Sequence, residues 1–160
     1  MEDINQLLHR LLQNKVDCVL VGGYAAVVHG SATVTQDLDV CLDFQPGNIQ
    51  KLLRALEKVN PRVRAGSNTI SLFEYTVERI AQLENLYIKT ELGKLDLLGS
   101  VTGIGPYADV KKNSITINLF DLPCRVLDID SLIKAKEAIG RPKDHQTVLE
   151  LQVIREKMKP

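Results

Sequence analysis

The chain has no tryptophan, and three Phe and four Tyr make up its aromatic content. A core without large rings has to be assembled mainly from Leu, Ile and Val. It has no excess charge either, since 20 Lys and Arg balance 20 Asp and Glu. That balance argues against an extended grip on duplex DNA, which depends on neutralising many phosphates at once. A small or locally docked acceptor is easier to accommodate, near basic groups such as Lys111–Lys112, Arg141–Lys143 and Arg155–Lys159. No CxxC or Cys/His spacing is present, and Cys18, Cys41 and Cys124 are odd in number and far apart. Neither a zinc site nor a disulfide framework is implied. Cys18 and Cys41 sit in apolar runs, where a free thiol behaves as a small hydrophobe. No apolar run approaches the length needed to cross a bilayer. The N-terminus opens as an amphipathic helix rather than as a signal peptide. These absences lead to the expectation of a reduced, cytoplasmic protein with no membrane partner.

What is present is an ordinary globular composition, 44% apolar and 25% charged over 160 residues. It is enough for one domain, 1–160, with a single substantial core. Asp3 is placed to cap a helix whose Ile4, Leu7, Leu8, Leu11 and Leu12 recur at helical spacing. Cys18–Val21 is wholly apolar, as in a strand buried on both faces. Gly22–Gly23 follows at once, then a short helix over Tyr24–His29 closed by Gly30. Asp37–Phe44 alternates as a strand, with Leu38, Val40, Leu42 and Phe44 on one face and Asp37, Asp39, Cys41 and Asp43 on the other. A helix over Ile49–Val59 comes next, whereas Arg62–Leu83 shows no single period. Leu86–Glu91 with Lys94–Leu98 reads as a hairpin. Val101–Pro106 reads as loop and Tyr107–Asn113 as a helical turn. Ser114–Leu119 with Cys124–Leu127 reads as a second hairpin, turning at Asp121–Pro123. Asp130 then caps a helix ending at Gly140, and Lys143–Met158 forms the last one. The fold class is α/β or α+β, with a small mixed sheet flanked by helices.

The chemistry concentrates between Val19 and Phe44. A glycine pair between strand and helix lets backbone approach a phosphate and aims free N–H groups at it. Asp37 and Asp39, two apart on a strand, project from one face. Hard oxygens so placed suit Mg²⁺, which takes one or two protein carboxylates and completes its shell with substrate phosphates. Asp96 lies mid-strand in Lys94–Leu98, where a charge is costly without a partner. A neighbouring strand that set it beside the pair would complete a three-carboxylate, two-metal site. Each element alone has a bland reading: a turn, a capping acid, a strand-edge acid. Asp128–Ile129–Asp130 is such a bland D-x-D, a helix-capping segment. The order of the parts, with thirteen residues between Gly23 and Asp37, sets the first pair apart.

That order resembles the signature of the DNA polymerase β-like nucleotidyltransferase superfamily. The closest likeness is to small bacterial members such as the abortive-infection (AbiEii-type) group, through Gly22, Gly23, His29, Gly30, Thr35, Asp37 and Asp39. A C-terminal K…R-x-K-D pattern is matched by Lys136, Arg141, Lys143 and Asp144, and the middle of the chain only through Leu95–Asp96–Leu97. The resemblance implies the nucleotidyltransferase fold and a Mg²⁺-dependent enzyme using two ions. It would move a nucleoside monophosphate from an NTP such as ATP to a hydroxyl acceptor. Asp37, Asp39 and Asp96 would be the catalytic, metal-binding acids. Gly22, Gly23, Ser31, Thr35, Lys136, Arg141, Lys143 and Asp144 would bind the nucleotide. The acceptor stays open between an RNA end, a protein hydroxyl and a small molecule. Relatives carry Arg where this chain has Thr33 and Lys where it has Gln36. Those two losses support the alternative of a catalytically silent nucleotide-binding or regulatory module on the same fold. A third reading is a toxin–antitoxin partner in which the fold serves binding.

Overall fold

The computed structural model describes residues 3–159. Asp3 caps α1 (Ile4–Gln13), accepting a hydrogen bond from the Gln6 amide at 3.1 Å, and Leu7, Leu8 and Leu11 are buried on its inner face. β1 (Cys18–Val21) is buried at every position, as its unbroken apolar sequence requires. It runs directly into α2 (Gly22–Val28), and β2 (Asp37–Leu42) returns antiparallel to β1. α3 (Pro46–Ala55) starts with proline in its first turn, where the missing amide leaves no bond unmade.

The stretch without a clear period proves to be a hairpin, β3 (Arg62–Ala65) and β4 (Asn68–Ser71), then a 3₁₀ turn and the short α4 (Val77–Ala81). Its strands are four residues each, too short to establish a period. β5 (Asn85–Thr90) and β6 (Gly93–Leu98) form the expected hairpin. The segment read as loop contains a two-residue ladder, β7 (Ser100–Val101) with β8 (Gly105–Pro106), ahead of α5 (Tyr107–Lys112). The last hairpin is β9 (Ser114–Leu119) and β10 (Leu122–Leu127). It turns at Phe120–Asp121, both at positive φ, and not at Asp121–Pro123. Primed two-residue turns match the twist of the flanking strands, so Pro123 falls inside the strand.

α6 (Ile129–Ile139) is capped by Asp128, whose carboxylate accepts from the Ser131 amide at 2.7 Å, and not by Asp130. Gly140 closes it in the left-handed conformation. α7 (Pro142–Met158) ends the chain's regular structure.

Eight strands form one mixed sheet in the order β4-β3-β5-β6-β2-β1-β10-β9. β2 pairs parallel with β6, and β1 parallel with β10. α1 packs against β2, β6 and β10, closing a core of leucines with Leu38, Val40, Leu95 and Leu97. α2 lies on β1 and β2 and is backed by α6, which in turn packs on α7. Among the described residues no helix is long and apolar enough to cross a membrane.

Candidate active site

The register of β2 on β6 decides the geometry. Asp39 stands directly opposite Asp96, and Asp37 opposite Lys94, so the three acids share one face across two adjacent strands. The alternating leucines anchor that register, because a slip of one residue would bury the acids and expose Leu38, Val40, Leu95 and Leu97.

Gly22 enters α2 with φ +68° and lies so close to Asp39 that an added Cβ would stand 2.9 Å from the Asp39 Cβ. A Cβ on Gly23 would meet Thr35 Oγ1 at 3.1 Å. The glycine pair is therefore dictated first by the acid strand pressed against it, a constraint nearer than any ligand. Thr35 donates to the Asp37 carbonyl at 3.0 Å and fixes the entry into β2.

A cleft of about 720 Å³ opens here, within the range of sites that take a nucleotide-sized ligand. One wall is Gly22, Gly23, Thr35 and the acids, and the other is Lys136 on α6 with Arg141, Lys143 and Asp144 at the start of α7. A second cleft of equal volume lies near Phe44, Leu83 and Tyr107, so size does not choose between them. Three carboxylates facing three cations do.

Asp144 is buried. It accepts from Arg141 Nε at 2.7 Å and lies 3.8 Å from Lys136 Nζ, while also closing a capping box with the Arg141 backbone. Burial alone would raise its carboxyl, but the Arg141 hydrogen bonds and the two cations hold it below the ordinary value. It positions Arg141 and Lys136 at the cleft wall. Burial pushes the Lys136 ammonium down, against the opposing pull of Asp144. Burial also raises Asp39, with Asp96 and Asp37 adding to the effect, to about 6. Acids packed this closely resist full ionisation unless a cation joins them.

Of the residues expected at the site, all but Ser31 line the cleft. Ser31 is buried, and its hydroxyl engages Glu150 of α7 and Thr33 Oγ1, the latter at 2.8 Å. Glu150 also accepts from the Ala32 amide at 3.0 Å, clamping the loop that walls the cleft. Those hydrogen bonds hold the Glu150 carboxyl below its usual value. His29 Nε2 donates to the Leu127 carbonyl at 2.8 Å and ties α2 to β10. Thr33 and Gln36 do line the cleft, so the two positions without a cation face the ligand space.

Sequence reasoning missed Arg64. It reaches from β3 to form an ion pair with Asp96 and lies over the Tyr87 ring, 5.7 Å from its centroid. No local pattern in four residues of strand connects Arg64 to an acid 32 positions on. Among the described residues, no three His, Cys, Asp or Glu side chains stand gathered as a ready-made metal shell. The ligand type nonetheless fits a hard cation. The acids offer only oxygen, and Asp39, raised first by burial and then by Asp96 and Asp37, is a carboxylate that a bound cation would ionise.

The chain belongs to the family described as nucleotidyltransferases of unknown function (DUF6036). The match covers residues 1–92 and ends four positions before Asp96. By family the protein is thus a nucleotidyltransferase, a phosphorus-group transferase. No curated protein matches the sequence. Solved structures share the nucleotidyltransferase fold. The lincosamide antibiotic adenylyltransferase LnuA, solved with lincomycin bound, has a TM-score of 0.64 at 18% identity, covering 94% of this chain and 95% of its own. A putative nucleotidyltransferase from Thermotoga maritima gives 0.56 at 16%, covering 93% and 89%. ANT(2″)-Ia, in complex with adenylyl-2″-tobramycin, gives 0.55 at 13%, covering 96% and 93%.

Proposed function

We propose that this nucleotidyltransferase, acting as one domain over residues 1–160 in the cytoplasm, binds a nucleoside triphosphate such as ATP in the acid-lined cleft. It would transfer the nucleoside monophosphate to a hydroxyl acceptor. The observation that carries the reading is the pairing of Asp39 with Asp96 opposite Lys136, Arg141 and Lys143. Cations of that kind bind phosphate oxygens, and the acids alone would repel them.

Asp37 and Asp39, with Asp96 once Arg64 leaves it, would hold Mg²⁺, up to two ions. Bound there, Mg²⁺ supplies charge neutralisation and activation of the attacking oxygen. The chain's own residues do the rest. Lys136, Arg141 and Lys143 orient the triphosphate, and Asp144 holds two of them in place. Gly22 and Gly23 leave backbone open at the cleft wall, and Thr35 with the clamped 31–33 loop holds that wall in shape. The acceptor oxygen attacks the α-phosphorus, the bond to pyrophosphate breaks, and the hydroxyl proton passes towards Asp96. Catalysis of this kind is mainly positioning and charge complementarity.

Calorimetric titration of each NTP, with and without Mg²⁺, tests this. Wild type is expected to bind at least one NTP in a Mg²⁺-dependent way, and Asp39→Ala to lose that binding. Equal binding by wild type and Asp39→Ala would overturn the site. Metal-dependent binding without turnover towards any acceptor would favour the silent module, the reading that Thr33 and Gln36 support.

A further inference from the structure

The sheet face that holds the acids continues past Asp96, away from α6 and α7. Directly paired residues lie on one face, so two cross-strand rows can be followed outward over β6, β5 and β3. The first runs Asp39, Asp96, Tyr87 and then Arg64, which lies over Tyr87 and pairs with Asp96. The second runs Asp37, Lys94, Lys89, Arg62.

Three cations in direct succession are costly in a sheet, because like charges opposite one another destabilise the pairing. None of Lys94, Lys89 and Arg62 has an ion-pair partner among the described residues. Arg62 is steadied by Thr69, through its Nε at 2.7 Å. Lys89 and Tyr87 are exposed, Tyr87 at 43%, while Leu86 and Ile88, which alternate with them, are buried on the opposite face. Arg64 Nε is buried and without a partner. The acids thus have cations on both sides: one group at the α6–α7 wall, and a second on open sheet that the triphosphate reading leaves unused.

We infer that Arg62, Lys89, Lys94, Arg64 and Tyr87 form the acceptor surface, and that the acceptor is the hydroxyl end of a single-stranded nucleic acid. Phosphates would lie along the row of three cations, about 4.8 Å apart from strand to strand. A base would stack on Tyr87, since an exposed ring serves any base. A backbone phosphate would draw Arg64 off Asp96 and bring the terminal hydroxyl to that carboxylate. Charge complementarity chooses this occupant. A polycationic acceptor would meet four like charges, and a neutral sugar would have no use for them. The patch is local, so it agrees with zero net charge and needs no extended duplex contact.

The acceptor role rests on the proposed function, but the binding does not. It is therefore tested alone, by fluorescence anisotropy of a labelled single-stranded RNA decamer in EDTA without NTP. The affinity is expected to fall with salt at a log–log slope of roughly −2, for about three neutralised phosphates. Lys89→Gln/Lys94→Gln should weaken binding about tenfold and flatten the slope by about 1.4. It should melt no lower than wild type, since it removes like-charge contacts. Tyr87→Ala should weaken binding about tenfold with the slope unchanged. Lys111→Gln/Lys112→Gln, on exposed α5 positions, should change nothing. The inference is overturned if RNA does not bind, or if the α5 double variant loses as much as Lys89→Gln/Lys94→Gln. It is likewise overturned if an acidic peptide of equal charge binds as tightly and tolerates Tyr87→Ala. RNA binding in a protein that shows no Mg²⁺-dependent NTP binding would keep the surface and remove only its acceptor role.

Discussion

Gly22 cannot be replaced without moving Asp39. Its φ of +68° is a conformation that an L-residue adopts at a cost of roughly 1–2 kcal/mol. The new methyl group would also push into the carboxylate it faces. Gly22→Ala is therefore expected to lower unfolding free energy by about 1–2 kcal/mol in a denaturant titration. It should also abolish Mg²⁺-dependent NTP binding in the same preparation. Gly23→Ala has no positive φ to strain and meets only the Thr35 side chain, so it should be the milder variant on both readouts. At this scale the sequence was legible where a residue's neighbours are local. Spacing alone groups Asp37, Asp39 and the glycines, which share one wall of the cleft. Spacing does not show that the Ser31 hydroxyl engages Glu150, 119 positions away, outside the cleft lining. Arg64 was invisible for the same reason, since its meaning lies in a strand pairing that spacing does not encode.

Elements were readable when they were long or sharply bounded, and less so where two capping acids compete. Asp128 and Asp130 both precede the apolar run of α6, and only backbone geometry separates them. Asp128 accepts from the Ser131 amide, whereas Asp130 is inside the helix, exposed, and pairs with Arg155 at 3.1 Å. Asp128→Ala is expected to cost about 1 kcal/mol, as for the loss of an N-cap. Asp130→Ala should cost only a few tenths, as for a surface ion pair. Thermal melting of the two variants side by side checks this. The β9–β10 turn lies one residue earlier at its start and two at its end than the sequence suggests. Proline looked like a turn former, but Pro123 sits in β10 while the positive-φ pair Phe120–Asp121 makes the turn.

For the whole molecule, the layered core follows from composition. Without tryptophan, leucines on α1, α3, β2 and β6 fill the space between helices and sheet. The three cysteines belong to that core. Burial pushes Cys18 well above the ordinary thiol value, Cys41 to about 12 and Cys124 to about 11. Thiolate is the reactive form, so none of the three should react with a thiol reagent at pH 8 in the native protein. All three should react in strong denaturant. Early modification of Cys41, which lies on β2 two residues beyond Asp39, would mean that this strand opens locally.

The strand order also carries a consequence in time. β1 lies between β2 and β10, and the cleft is walled on one side by residues 22–39 and on the other by residues 136–150. During synthesis the acid strand β2 emerges well before α6 and α7, which supply its opposite wall. A nascent chain cannot wall the cleft until α7 has docked, so competence arrives in one step, well after the acids are made.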